Sequence, residues 1–224
     1  MRKNPLVNEY CYHIINRSIA KYVIFNNNDD YKRIIKLLYL YRFVDFQYKY
    51  SKFTQLSLLH QKSIINSLKN SPQLVEIIAY CVMPTHIHLI LKQTTENGIS
   101  KFMAKVLDGY SKYFNIKYHR KGPLWEGHFK SILVNNDDQL IHLSRYIHLN
   151  PTSAGLVKKP QEWYFSSYCE YITGSNDKNH DNLCQYENLI DLSPKEYKKF
   201  VQERISYQQE LSKIKHVLLE NYSG

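Results

Sequence analysis

Hydrophobic positions along the chain change period several times, and each change predicts an element. Tyr10, Tyr12 and Ile14 alternate with Cys11, His13 and Ile15, the two-residue repeat of a first strand. After the Asn/Asp cluster at 26–30, Ile34, Ile35, Leu37, Leu38 and Leu40 fall on one side of a helix. Residues 44–70 hold Phe53, Leu56, Leu58, Leu59, Ile64, Ile65 and Leu68, read as a second helix and a candidate insertion. Two β-rich runs, Leu74–Val82 and His86–Lys92, flank Met83-Pro84-Thr85 and predict an antiparallel pair with a tight connection. Ile99, Phe102, Met103, Val106, Leu107, Tyr110 and Phe114 keep the spacing of one face of a long helix, with Lys101, Lys105 and Lys112 on the other.

The second half continues the alternation. Residues 119–134 read as a basic turn followed by a strand. Asn136 with Gln139 opens a helix expected to run to about Leu149, because Pro151 biases Asn150 away from helical geometry. Residues 172–192 read as a polar linker. Ser193-Pro194-Lys195-Glu196 is a capping box that starts a last helix over 194–221. The element order mixes an antiparallel sheet with helices, an α+β class rather than a doubly wound one.

Composition narrows the function. Of 224 residues, 43% are hydrophobic, enough for a packed core, and no run of 18 apolar residues spans a membrane. The opening MRKNPLVNEY lacks the apolar core of a signal peptide, so a secreted protein is not expected. Four scattered cysteines without a CxxC pair point to free thiols in a reducing cytoplasm. Charge is uneven. Residues 1–174 carry 23 Lys/Arg against 12 Asp/Glu, and residues 175–224 carry seven against eight. A basic body with a near-neutral tail suits a nucleic-acid partner.

Two short patterns carry candidate chemistry. In His86-Ile87-His88, strand geometry puts both imidazoles on one face, where they can chelate a divalent ion or simply be satisfied by hydrogen bonds. Two ligands are too few, so a third is needed. Tyr146 and Asn150 stand four apart, on one face of the 137–149 helix. An amide oxygen suits Mg²⁺ or Mn²⁺ better than Zn²⁺. A phenol beside a metal-bound phosphate can act as a nucleophile. His142 and His148 lie nearby, each readable as a proton acceptor, a phosphate contact or a surface residue.

These segments together resemble a known family. MPTHIHLIL looks like the His-hydrophobic-His (HUH) motif of single-tyrosine transposases. LWEGHFKSI, RYIHLNPTSAGLV and WYFSSY, with the N-terminal RKNPL, YHIINRS and IF, resemble its REP-associated tyrosine transposase branch over residues 1–172, leaving 173–224 as linker and C-terminal helix. The resemblance implies a ferredoxin-like (RRM-like) antiparallel sheet with helices on one face, plus a C-terminal helical appendage. It implies His86, His88 and Asn150 as ligands of Mg²⁺ or Mn²⁺, and Tyr146 as nucleophile. The implied reaction cleaves and rejoins single-stranded DNA, at hairpin or palindromic elements, through a 5′-phosphotyrosine and a free 3′-OH. The implied setting is a prokaryotic cytoplasm, at the nucleoid, with no membrane partner and with monomer or homodimer undecided. Ser18 and Ser153 depart from the family's usual Gly and Arg, which touches DNA recognition rather than the proposed chemistry. DNA contacts are expected from Arg2, Lys3, Arg17, Lys21, Arg120, Lys121, Trp125, His128 and Lys130, although Trp125 and Phe129 read more readily as core. The alternatives are a catalytically inactive, domesticated hairpin-binding protein of the same fold and a zinc hydrolase unrelated to DNA.

Overall fold

The computed structural model describes residues 5–174 and 182–207. Four strands, β1 (Cys11–Arg17), β2 (Val75–Met83), β3 (His86–Gln93) and β4 (Lys130–Leu133), form one antiparallel sheet in the order β2-β3-β1-β4. Helix α1 (Asn28–Tyr41) connects β1 to β2. Helix α4 (Gly98–Lys117) connects β3 to β4. This β-α-β-β-α-β path with its two central strands is the expected ferredoxin-like arrangement. Met83 pairs with His86, so Pro84 and Thr85 alone turn the chain between β2 and β3.

The 44–70 region folds as two short helices, α2 (Tyr50–Phe53) and α3 (Leu58–Leu68), inserted between α1 and β2. Helix α5 (Asp137–Ser153) follows β4 and lies against β2 and β3. Residues 87–91 are buried without interruption, so both faces of the sheet are covered. Helices α1 and α4 pack on each other across one face, and α5 roofs the other.

Local chemistry sets these elements. The Asn27 side chain accepts from the Asp29 and Asp30 N–H groups and starts α1. Helix α4 begins where Gly98 passes Leu74. A β-carbon at Gly98 would stand 2.0 Å from the Leu74 carbonyl oxygen, so only glycine permits that approach. Buried Asp30 ties α1 to α4, accepting from Lys117 Nζ at 2.7 Å, Tyr113 at 2.9 Å and Tyr118 at 2.6 Å. Burial pushes its carboxyl up, but these donors outweigh it and hold the group below the ordinary carboxylate range.

Two expectations are corrected. Helix α5 does not stop at Leu149 but continues through Pro151 to Ser153. Proline costs the bond to the Ile147 carbonyl. Burial of Pro151 and Thr152 compensates, and Ala154 N–H closes back on the Asn150 carbonyl. The stretch read as a polar linker is also packed where it is described from residue 182 to 192. Leu183, Cys184, Tyr186 and Ile190 are buried, Gln185 N–H donates to the Ile77 carbonyl, and Tyr171 and Tyr186 stack at 3.7 Å. Short α6 (Tyr168–Thr173) precedes this strap, and α7 (Pro194–Gln202) follows it with the expected capping box. Residues 208–221 of the expected last helix lie outside the described residues. Among the described residues, no helix is long and apolar enough to cross a membrane.

Candidate active site on the histidine face

Strand alternation places His86, His88 and Ile90 on one face of β3. Their partners across the ladder are Arg17, Ile15 and His13 of β1, and directly opposed residues share a face. His13 is therefore the diagonal neighbour of His88, and its Nε2 lies 3.1 Å from His88 Nδ1. The His86 and His88 rings meet edge-on at 4.9 Å, and the His13 and His88 rings stack at 5.3 Å.

Helix α5 lowers its tyrosine onto this cluster. The Tyr146 ring stands edge-on to His88 at 6.1 Å and to His13 at 6.5 Å. It is 41% exposed, so the ring lies at the edge of the cluster, partly against the histidines and partly towards solvent. The opposite side of α5 is pinned. Ser144 Oγ and His148 Nδ1 each lie 2.8 Å from the Tyr197 hydroxyl of α7, and His148 Nε2 lies 2.7 Å from Ser167 Oγ. Arg145 donates to the Phe200 carbonyl and lies over the Phe200 ring.

Burial keeps these imidazoles neutral. It pushes His13 down to about 4 and His86 to about 4, with Arg17 adding to the effect on His86. His88 is held well below the ordinary range by burial, then by His86, His13 and Arg17. A neutral imidazole is the form that binds a metal. Thr85 Oγ1 engages His86 Nδ1 at 2.9 Å and His13 engages His88 Nδ1, which leaves Nε2 of each as the remaining ring donor. Such an outer contact fixes ring orientation in metal-binding histidines.

No group of three or more His, Cys, Asp or Glu is arranged to hold a metal among the described residues. A third protein donor must then be an amide or hydroxyl. Asn150, one turn beyond Tyr146, has a buried Nδ2 without a hydrogen-bond partner. Amide oxygen and nitrogen are assigned by their contacts. A buried amide end without a partner suits a donor set that a divalent cation completes. The buried, neutral histidine pair fits the implied metal, and Asn150 on the tyrosine helix is the candidate for the further donor.

The expected DNA contacts divide. Arg17, His128 and Lys130 gather with Glu126 and Gly127 around a cavity of about 320 Å³, where the chain bulges between the end of β1 and the start of β4. Lys21 and Lys121 are exposed, and Arg120 is bonded to Asn115 beyond the end of α4. Trp125 is a correction. It is 9% exposed and its indole N–H donates to the Leu107 carbonyl, so it belongs to the core rather than to a stacking surface. Arg2 and Lys3 lie outside the described residues. His13 is absent from the candidates named from sequence. Its signal was its place in the alternation of β1, but only the register shows which strand it meets.

A strand-borne histidine pair beneath a helix-borne tyrosine defines a site suited to phosphoryl transfer onto a phenol. The chain belongs to the IS200-like transposase family, whose model matches residues 6–150. It is 27% identical over 106 residues to a putative REP-associated tyrosine transposase of Haemophilus influenzae, covering 42% of this chain and 58% of that one. It is 30% identical over 115 residues to a REP-associated tyrosine transposase of Escherichia coli, covering 51% and 66%. Each match spans less than two thirds of the relative's own length. A solved structure described as a REP-associated tyrosine transposase bound to a REP hairpin aligns over 87% of this chain and 94% of that one. Its TM-score is 0.50 and its identity 16%, a likeness of fold.

Proposed function

We propose that this transposase cleaves and rejoins single-stranded DNA at hairpin-forming elements, with Tyr146 as nucleophile. The observation that carries this reading is the Tyr146 ring set against His13 and His88, with His86 beside them. His86 and His88 would hold the cation through Nε2, with Asn150 offering an amide oxygen. Mg²⁺ or Mn²⁺ bound there supplies charge neutralisation at the phosphoryl oxygens.

The chain's own residues do the rest. Neighbours on β1 and the β2–β3 turn fix the two imidazoles, and α5 holds the phenol at the edge of the cluster. Tyr146 Oη forms the bond to phosphorus as the bond to the 3′-oxygen breaks. The phenolic proton leaves through solvent on the open side, and the 3′-oxygen takes up a proton, so the step is proton-neutral overall. The phosphoryl group stays on Tyr146 as a 5′-phosphotyrosine. Attack by a 3′-OH reverses the step without an external energy source. Arg17, His128 and Lys130, around the cavity beside His86, hold the backbone of the strand. A hairpin partner accords with the described ligand of the solved fold neighbour. The setting is the prokaryotic cytoplasm, where such DNA is found.

The test incubates hairpin-bearing single-stranded DNA with the protein and Mn²⁺. A covalent adduct is expected, lost in Tyr146→Phe and with chelator. An adduct that survives in Tyr146→Phe removes that residue as nucleophile. DNA binding without any adduct in the wild type favours the inactive hairpin binder.

A further inference from the structure

Helices α1 and α4, on the face of the sheet away from the histidines, enclose a second cavity together with the inserted α2. Its volume is about 340 Å³, at the lower end of the range of ligand pockets. Tyr41, Tyr50 and Tyr113 supply its rings. Gly109 leaves the floor without a side chain where Tyr41 crosses, since a β-carbon there would stand 3.3 Å from the Tyr41 ring.

The charges around this cavity are unevenly matched. Lys112 pairs with Asp108 and Lys117 with Asp30, each at 2.7 Å. Arg33 and Lys49 have no carboxylate partner among the described residues. The Arg33 guanidinium lies over the Tyr50 ring at 4.2 Å and over Tyr113 at 4.7 Å, and its Nε is buried with no hydrogen-bond partner. The two rings offset part of the cost of this half-buried cation, but with no counter-charge its unpartnered edge favours an anion beside it. The aromatic lining favours a flat π-system.

We infer that this cavity binds one nucleotide unit, its base against the tyrosine rings that line it, its phosphate at the Arg33 guanidinium edge and Lys49. The volume admits a single nucleotide and excludes a duplex. The unit is either an unpaired nucleotide of the DNA strand wrapped around the protein or a free mononucleotide. The chemistry is the same for both. The inference does not depend on Tyr146, and it gives the 44–70 insertion a role, because Lys49 and Tyr50 come from it.

The test uses the full chain in two arms. In the first, thymidine monophosphate is titrated calorimetrically into wild type, Lys49→Glu and Arg33→Met. In the second, a 20-mer single strand carrying 5-iodouracil is photo-crosslinked and the attachment site mapped by mass spectrometry. Lys49 is exposed, so its variant keeps the fold, and both variants should still form the Tyr146 adduct on a short hairpin substrate. Binding of the monophosphate, about tenfold weaker in Lys49→Glu, together with a crosslink at Tyr41, Tyr50 or Tyr113, supports the inference. A crosslink alone identifies the DNA strand as the source, and monophosphate binding alone identifies the free nucleotide. Absence of both, or equal binding in wild type and both variants, overturns the inference while leaving the reading of Tyr146 intact.

Discussion

His13 Nε2 and His88 Nδ1 lie 3.1 Å apart, a contact between adjacent strands that fixes the orientation of one of the two paired imidazoles. When His88 donates Nδ1–H to His13 Nε2, the neutral ring presents a lone pair on Nε2, the form a metal ligand requires. Replacing His13 with leucine fills the buried position with an apolar side chain and removes the partner. By the usual cost of losing an outer contact, Mn²⁺ affinity should fall roughly 10–100-fold, measured by electron paramagnetic resonance of the free ion. Unchanged affinity in a folded His13→Leu protein would show that His88 needs no such support.

Tyr146 sits against histidines of its own chain, and the far side of α5 is bonded to α7 through Ser144, Arg145 and His148. A helix fixed at three positions cannot swing out to serve another subunit without breaking all of them. Mixing His88→Ala chains with Tyr146→Phe chains should therefore yield no DNA adduct. Adduct recovered in the mixture, on a gel that resolves protein–DNA conjugates, would mean that the tyrosine acts on a partner's histidines.

The parts of this architecture that were legible in the sequence are those with a local period. A two-residue repeat put His86 and His88 on one face, and a four-residue step put Tyr146 and Asn150 on another, before any contact was known. Three features depend on distant partners and left no such trace. His13 matters only because β1 pairs with β3 in one register. Pro151 breaks the local rule because the end of its helix is buried. Leu183, Cys184 and Tyr186 have no periodicity, and they become core by lying along β2. Trp125 illustrates the converse, since an aromatic in a basic segment admits both a DNA contact and a core position, and only its neighbours decide.

Asp30 and Lys117 pair at 2.7 Å, with the carboxylate fully buried and the ammonium partly exposed. Substituting Lys117 with methionine leaves a buried anion with its tyrosine and backbone donors only. Breaking one side of such a pair typically costs about 3–5 kcal/mol, and the remaining donors should hold the loss to the lower end. Urea unfolding monitored by circular dichroism checks this. The Asp30→Asn, Lys117→Met double variant should recover part of the loss, because no buried charge remains.

His148 is fully buried between the Tyr197 and Ser167 hydroxyls, and burial pushes its pKa down to about 3. The unfolded chain takes up a proton on this residue near pH 6.5, whereas the folded chain does not until near pH 3. Its contribution to stability is therefore complete above about pH 6.5 and declines as pH falls from there towards 3. Each such histidine adds about 1.4 kcal/mol per pH unit to the slope once the unfolded form is protonated. His148→Leu should lose about 1–3 kcal/mol at neutral pH from the broken hydrogen bonds. It should also show a shallower decline between roughly pH 6 and pH 4, by about that one-proton slope. Urea titrations at several pH values give both numbers. An unchanged slope in the leucine variant would mean that His148 is protonated in the folded protein as readily as in the unfolded chain.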